Sequence, residues 1–253
     1  MVMLGYVTGR HLELALKAIR RYSLPSPDFI ITDVGTSIYH ETLTGWKLDS
    51  DWREMLRREW PSGTASKIIR LLRGVKGLRP QERRKQGEFK ASFYLKPAFE
   101  GELKQMRGRM KNAGIPHTIT LSKGKQKSLL LDILPPGASK EKAIKMLAGK
   151  NRIGHSQITF AGDSGNDYSV LSGNLKAIIV SNAEPGLRRM IAKKTRERMT
   201  RHLAYVSSGK FECESGQDIC GVLEGALHYQ VFSRRKGMRI QMHSVHGLVN
   251  GNY

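Results

Sequence analysis

The sequence predicts an α/β protein built on an open parallel sheet, with a smaller α+β domain inserted into it. Three observations carry that prediction. Short apolar runs followed by a turn and then by helical periodicity occur at the start of the chain and again from residue 157 onward. Between residues 46 and 134 the texture changes to mixed polarity, with frequent Gly and Arg and short strands. The turn Pro135-Pro136-Gly137 closes that stretch before the earlier pattern resumes.

Taken in order, residues 2–7 form an apolar run ending in Thr8-Gly9-Arg10, after which Leu12, Leu16, Ile19 and Tyr22 recur at helical spacing. Pro25 and Pro27 stop that helix. Phe29-Ile30-Ile31-Thr32 is a second strand, leading through Asp33-Val34-Gly35-Thr36 into a third at 37–40. Inside the insert, 89–95 and 128–134 read as strands around a helix near 98–112. Ser139 then stands as N-cap of a helix with Ala143, Ile144 and Leu147 on one face and Gly149 as its stop. A strand at 157–161, a loop at 162–166, a helix from Asp167, a strand at 176–180 and a helix from Pro185 complete the pattern. These boundaries predict a core of 1–45 plus 135–232, an inserted domain of 46–134, and a basic tail at 233–253 that is expected to be disordered.

At 253 residues the chain is long enough for a core domain carrying a second one. No apolar run approaches the roughly 20 residues of a membrane span, and the N-terminus lacks the basic-then-apolar profile of a signal peptide. The expectation is a cytoplasmic protein without membrane contact. Cys213 and Cys220 are too few for a disulfide framework and lack metal-ligand spacing, so reduced core thiols are expected. The balance of 43 Lys and Arg against 22 Asp and Glu, +21 overall, draws polyanions and fixes the sign of a partner. Runs such as Arg83-Arg84-Lys85 and Arg234-Arg235-Lys236 read as solvated surface. With no recognised module or stacking aromatic pattern, the charge alone does not make nucleic acid the expected partner.

The chemistry concentrates in Gly162-Asp163-Ser164-Gly165-Asn166-Asp167. Two carboxylates four positions apart, in a Gly-rich turn after an apolar strand, fall at the carboxyl edge of a sheet, where open α/β sheets bind ligands. Hard oxygen donors there suit Mg²⁺, which uses one or two carboxylates together with waters and phosphate oxygens. The alternative is a solvated loop with Asp167 as a helix cap. Lys140 sits in a first helical turn, where acids are the favoured residues, and a cation there can offset phosphate charge. Thr8-Gly9-Arg10 offers a hydroxyl, a closely approachable amide and a guanidinium, a set that can grip a phosphoryl group. Taken singly, Lys140 reads as surface decoration and the tripeptide as an ordinary turn.

In this order the three sets resemble the second, third and fourth motifs of the haloacid-dehalogenase superfamily, in the branch with an α/β cap inserted between the second and third. Further stretches, Val34-Gly35-Thr36-Ser37-Ile38-Tyr39, Phe89-Lys90-Ala91-Ser92, Asp132-Ile133-Leu134-Pro135 and 221–229, are similar to sucrose-phosphate phosphatases and related disaccharide-phosphate phosphatases. The resemblance covers about residues 1–232. It implies a Rossmann-like core, a cap closing over the sugar, and Mg²⁺-dependent hydrolysis of a sugar phosphate through an aspartyl-phosphate. Carried over, Thr8 and the Gly9 amide hold the phosphoryl group and Arg10 lies at the entrance. Lys140 neutralises charge, Asp163 binds the metal with help from Asp167, and Asn166 hydrogen-bonds within the site. Lys90 contacts sugar hydroxyls, or else is an exposed strand lysine. Sucrose 6-phosphate is the expected substrate, with mannosylfructose phosphate or another sugar phosphate as alternatives.

The resemblance also implies an Asp-x-Asp pair some tens of residues before Thr8, which this chain does not contain. Asp33-Val34-Gly35 imitates it, in the wrong order and with Gly35 in place of the second aspartate. The expectation is a truncated gene model or misassigned start, with Met1 or Met3 internal and the first core strand missing. The competing reading is an inactive remnant that binds sugar phosphate or partners a sugar-phosphate synthase.

Overall fold

The computed structural model describes residues 2–124, 128–199, 203–208 and 217–231. Residues 233–253 lie outside them. Contacts group the chain into two units, Met3–Leu147 and the residues from Ala148 on, and each is described by itself.

The first unit opens with β1 (Gly5–Val7), α1 (Leu12–Arg21), β2 (Phe29–Thr32), β3 (Ser37–Thr42) and β4 (Gly45–Leu48), forming a sheet in the order β1-β2-β3-β4. β1 and β2 are parallel, with Val7 opposite Ile31. β3 and β4, however, run antiparallel. The turn Asp33–Gly35 between β2 and β3 is far shorter than the dozen or so residues that a parallel crossover needs. Ile30, Ile31 and Ile38 are fully buried.

Two helices that the sequence reading passed over follow, α2 (Ser50–Glu59) and α3 (Thr64–Leu71). Asp49 caps α2, its Oδ1 accepting from the Trp52 amide at 2.8 Å. Trp52, Leu56 and Trp60 recur every four residues and are almost fully buried. The charged residues between them hid the period. A second sheet is built from β5 (Leu78–Pro80), β6 (Ala91–Leu95), β7 (Thr118–Lys123) and β8 (Leu129–Leu134), with α4 (Leu103–Asn112) between β6 and β7. Its order is β5-β6-β8-β7, antiparallel throughout. Phe93, Leu95, Leu131 and Ile133 form a core with Ile68, Met106 and Met110. By strand alternation Ser92 and Asp132, directly opposite each other, take the other face. Next, α5 (Lys140–Lys150) starts where expected: Ser139 Oγ accepts from the Lys142 amide at 3.1 Å.

The second unit holds β9 (Thr159–Gly162), α6 (Tyr168–Leu171), β10 (Lys176–Ile179), α7 (Pro185–Glu197), β11 (Ala204–Val206) and α8 (Gln217–His228). Its sheet, β11-β10-β9, is parallel, as the sequence predicts. A Cβ on Gly225 of α8 would lie 2.5 Å from the Ile178 side chain, so glycine lets the helix rest directly on β10. Cys220 is disulfide-bonded where a reduced thiol was expected; cysteine number and spacing do not by themselves fix pairing. No described helix is long and apolar enough to cross a membrane.

Candidate functional site

In the first unit one turn organises most of the predicted residues. Asp33, Val34 and Gly35 all have positive φ, at 52°, 62° and 98°. For a β-branched residue such as Val34 that conformation is a true outlier. Strain of this kind costs about 1–3 kcal/mol per residue and persists only where surroundings over-determine it. Here they do. The Asp33 amide donates to Arg10 O at 2.9 Å and the Val34 amide to Thr8 O at 3.2 Å, while the Arg10 amide donates to Thr8 Oγ1 at 3.1 Å. Trp52 Nε1 donates to Gly35 O at 3.1 Å. Any Cβ on Gly35 would fall 2.3 Å from the Ser139 carbonyl carbon and 2.5 Å from the Lys140 nitrogen. The turn therefore binds the Thr8-Gly9-Arg10 loop on one side and the start of α5, with Lys140, on the other. Lys140 is 4% exposed, not the surface residue that its position in a first turn would suggest.

Lys90 is buried as well, so the exposed-lysine reading does not hold. Its Nζ lies 2.7 Å from Asp33 Oδ1. Two positions on, Ser92 Oγ donates to Asp132 Oδ1 at 2.5 Å. Burial pushes the Asp132 carboxyl up, against the opposing pull of the Lys90 and Lys140 ammoniums and the Ser92 hydroxyl, with Asp33 adding to the rise. Asp33, Lys90 and Lys140 thus all lie within electrostatic reach of the Asp132 carboxyl. The sequence reading missed Ser92 and Asp132, although two-residue periodicity places Ser92 on the face of Lys90 and the β6–β8 register sets Asp132 across from Ser92.

In the second unit the loop after β9 carries Asp163, Asn166 and Asp167. Asp167 is buried, and its Oδ2 accepts from the amides of Asp163 at 3.3 Å and Ser164 at 3.2 Å and from Ser164 Oγ at 3.1 Å. Ser164 Oγ also stands 3.0 Å from Asn166 Oδ1. A Cβ on Gly162 would lie 2.8 Å from Asp167 Cγ, so glycine is what lets this carboxylate tuck beneath the strand end. Asp163, by contrast, is exposed. Among the described residues no group of three or more His, Cys, Asp or Glu is arranged to hold a metal. Two hard carboxylates match the share of Mg²⁺ ligation that proteins ordinarily supply. Asp163 fits as the ligand and Asp167, committed to the loop through Oδ2, as the group that fixes the loop.

The family model for sucrose-6F-phosphate phosphohydrolase matches residues 1–230. A HAD-like hydrolase from Nitrosococcus oceani is 37% identical over 231 residues, 90% of this chain and 62% of that protein. A glucosylglycerol-phosphate synthase from Pseudomonas anguilliseptica is 33% identical over 196 residues, 74% of this chain and 23% of that protein. The chain thus spans less than two thirds of either relative. Among solved structures, the sucrose-phosphatase of Synechocystis sp. PCC6803, in complex with sucrose and phosphate, superimposes with a TM-score of 0.73 at 26% identity, covering 90% of this chain and 84% of that one.

Proposed function

Because the chain belongs to the sucrose-6F-phosphate phosphohydrolase family, within the haloacid-dehalogenase superfamily, we propose that it acts in the Mg²⁺-dependent hydrolysis of a sugar phosphate, with sucrose 6-phosphate as substrate. The observation that carries the reading is the strained turn at Asp33–Gly35. It fixes Thr8-Gly9-Arg10 and Lys140 against one another before any ligand arrives, and preorganisation of this kind is the main contribution a protein makes to phosphoryl transfer. In this proposal the Thr8 hydroxyl and Gly9 amide hold the phosphoryl oxygens, Arg10 guards the entrance, and Lys140 offsets phosphate charge. Lys90 and its neighbours on residues 46–134, acting as a cap, take the sugar hydroxyls. Asp163, helped by Asp167 fixing the loop, would hold Mg²⁺, which when bound would supply electrophilic stabilisation of phosphoryl oxygens, and Asn166 hydrogen-bonds within that loop.

A second reading is a binding partner of a sugar-phosphate synthase. The similarity to a stretch of a much longer glucosylglycerol-phosphate synthase supports it. Calorimetry with sucrose 6-phosphate and Mg²⁺, run beside a phosphate-release assay on the same protein, separates the two. Uptake lost in Lys140→Met and Asp163→Asn, together with phosphate release, is expected. Uptake without release leaves the partner reading standing, and no uptake at all overturns both.

A further inference from the structure

Asp33 has no role in the motif reading beyond its imitation of the nucleophile. In the structure it stands between a buried ammonium and a recess. Its Oδ1 pairs with Lys90 Nζ at 2.7 Å, the side chains being 14% and 5% exposed, and its Oδ2 accepts from Thr32 Oγ1 at 3.1 Å. On its other side Asp33 lines a small open recess of about 40 Å³, together with Thr36, Ser37, Arg53, Glu88 and Phe89.

The charges around this recess are matched locally. Asp33 answers Lys90. Glu88 accepts from Arg53 Nε at 2.8 Å and from Arg57 at 3.0 Å, and Arg57 also stands 3.8 Å from Glu54 Oε2, which makes three carboxylates against three cations. Although burial raises the Glu88 carboxyl, the two guanidiniums outweigh it and hold the group below its ordinary range. In a chain of +21, which attracts anions of every kind, this is a local exception. Sugar hydroxyls can donate to the carboxylates and accept from Arg53 or Ser37, whereas a second anionic group meets an ammonium already neutralised and a carboxylate that repels it.

We propose that Asp33 is a specificity-determining residue: by neutralising Lys90 beside the recess, it makes this part of the site accept uncharged hydroxyls and reject a second anionic group on the ligand. The assignment rests on the sugar-phosphate reading above and deepens it, restricting the substrate to monophosphates of otherwise neutral sugars. Selectivity of this kind comes from a repulsive element as much as from an attractive one.

The test is equilibrium calorimetry with Mg²⁺ on the unsubstituted chain, on Asp33→Asn and on Asp33→Asn/Lys90→Met. The probes are sucrose 6-phosphate, fructose 1,6-bisphosphate and inorganic pyrophosphate. Asparagine keeps the shape of Asp33 and tolerates its left-handed backbone, and circular dichroism verifies that each variant is folded. In Asp33→Asn, the affinity for the bisphosphate relative to sucrose 6-phosphate rises at least tenfold, and pyrophosphate binds at least tenfold more tightly. Removing Lys90 as well restores the original discrimination. Equal pyrophosphate affinity in the single variant and the unsubstituted chain overturns the proposal, whether or not sucrose 6-phosphate binds. So does a double variant that keeps the tighter binding. A pyrophosphate difference without any uptake of sucrose 6-phosphate overturns the functional reading instead and leaves the charge pairing established.

Discussion

Replacing Gly35 with alanine tests whether the turn after β2 holds the first unit together. The backbone there has φ of 98°, so an L-residue carries a penalty of roughly 1–2 kcal/mol. The new methyl would also lie 2.3 Å from the Ser139 carbonyl carbon and 2.5 Å from the Lys140 nitrogen. Both are backbone atoms at a helix start, with no rotamer to relieve the overlap, and forced displacement in a packed site adds about 1–3 kcal/mol. The sum, about 2–5 kcal/mol, is large against a typical domain stability of roughly 5–15 kcal/mol. Urea unfolding followed by tryptophan fluorescence reads it cleanly, because Trp46, Trp52 and Trp60 all lie in the first unit and Trp52 donates to Gly35 itself. Gly108→Ala is the control: it lies within α4, nothing stands within 4 Å of its added Cβ, and helix propensity predicts a gain of up to about 1 kcal/mol. A loss below about 1 kcal/mol for Gly35→Ala would refute the over-determined turn.

Three further outcomes follow from the site geometry. Asp167→Ala removes the acceptor shared by two amides and a hydroxyl, so it should cost about 1–3 kcal/mol in far-ultraviolet melting, while Asp163→Asn should change melting little and weaken Mg²⁺ uptake in calorimetry. Equal effects of the two on melting would contradict the division of labour between them. The Tyr205 phenol, pushed up to about 12 by burial and then by the Glu224 carboxylate that it donates to at 2.7 Å, should resist ionisation. A raised folded value means stability present below about pH 10 and lost as pH rises toward 12, and spectrophotometric titration of Tyr205→Phe should lack the latest-ionising phenol. The Asp132 carboxyl is raised by burial, so its contribution is present below the ordinary aspartate range and fades as pH rises through the folded value. Fluorescence-monitored unfolding from acid to neutral pH should show a flatter dependence in Asp132→Asn, and an unchanged slope would refute that contribution.

What could be read from the sequence was what is local in it. The strand, turn and helix around Thr8-Gly9-Arg10, the Ser139 cap and the Asp163–Asp167 loop are each fixed by neighbours a few residues apart, and they appear where spacing put them. Antiparallel β3 was implicit in the shortness of the Asp33–Gly35 turn, but the apolar texture of the strand does not record direction. α2 was obscured because its buried stripe of Trp52, Leu56 and Trp60 is narrow and the intervening residues are charged.

The site was legible only in part, for a related reason. Motif order identified Lys140, and the cap resemblance Lys90, as cations of interest, yet neither can say whether a cation is spoken for. That depends on pairings across strands, Lys90 with Asp33 and Ser92 with Asp132, which sequence distance conceals. Net charge misleads in the same way. A total of +21 describes the far field that brings phosphorylated ligands in. At contact distance Asp33 pairs with Lys90, and Glu88 and Glu54 with Arg53 and Arg57, so discrimination among anions depends on carboxylates that the overall balance leaves invisible. Attraction and selectivity are therefore set by different residues of this chain, and substitutions at surface lysines should alter association rates without changing which ligand is preferred.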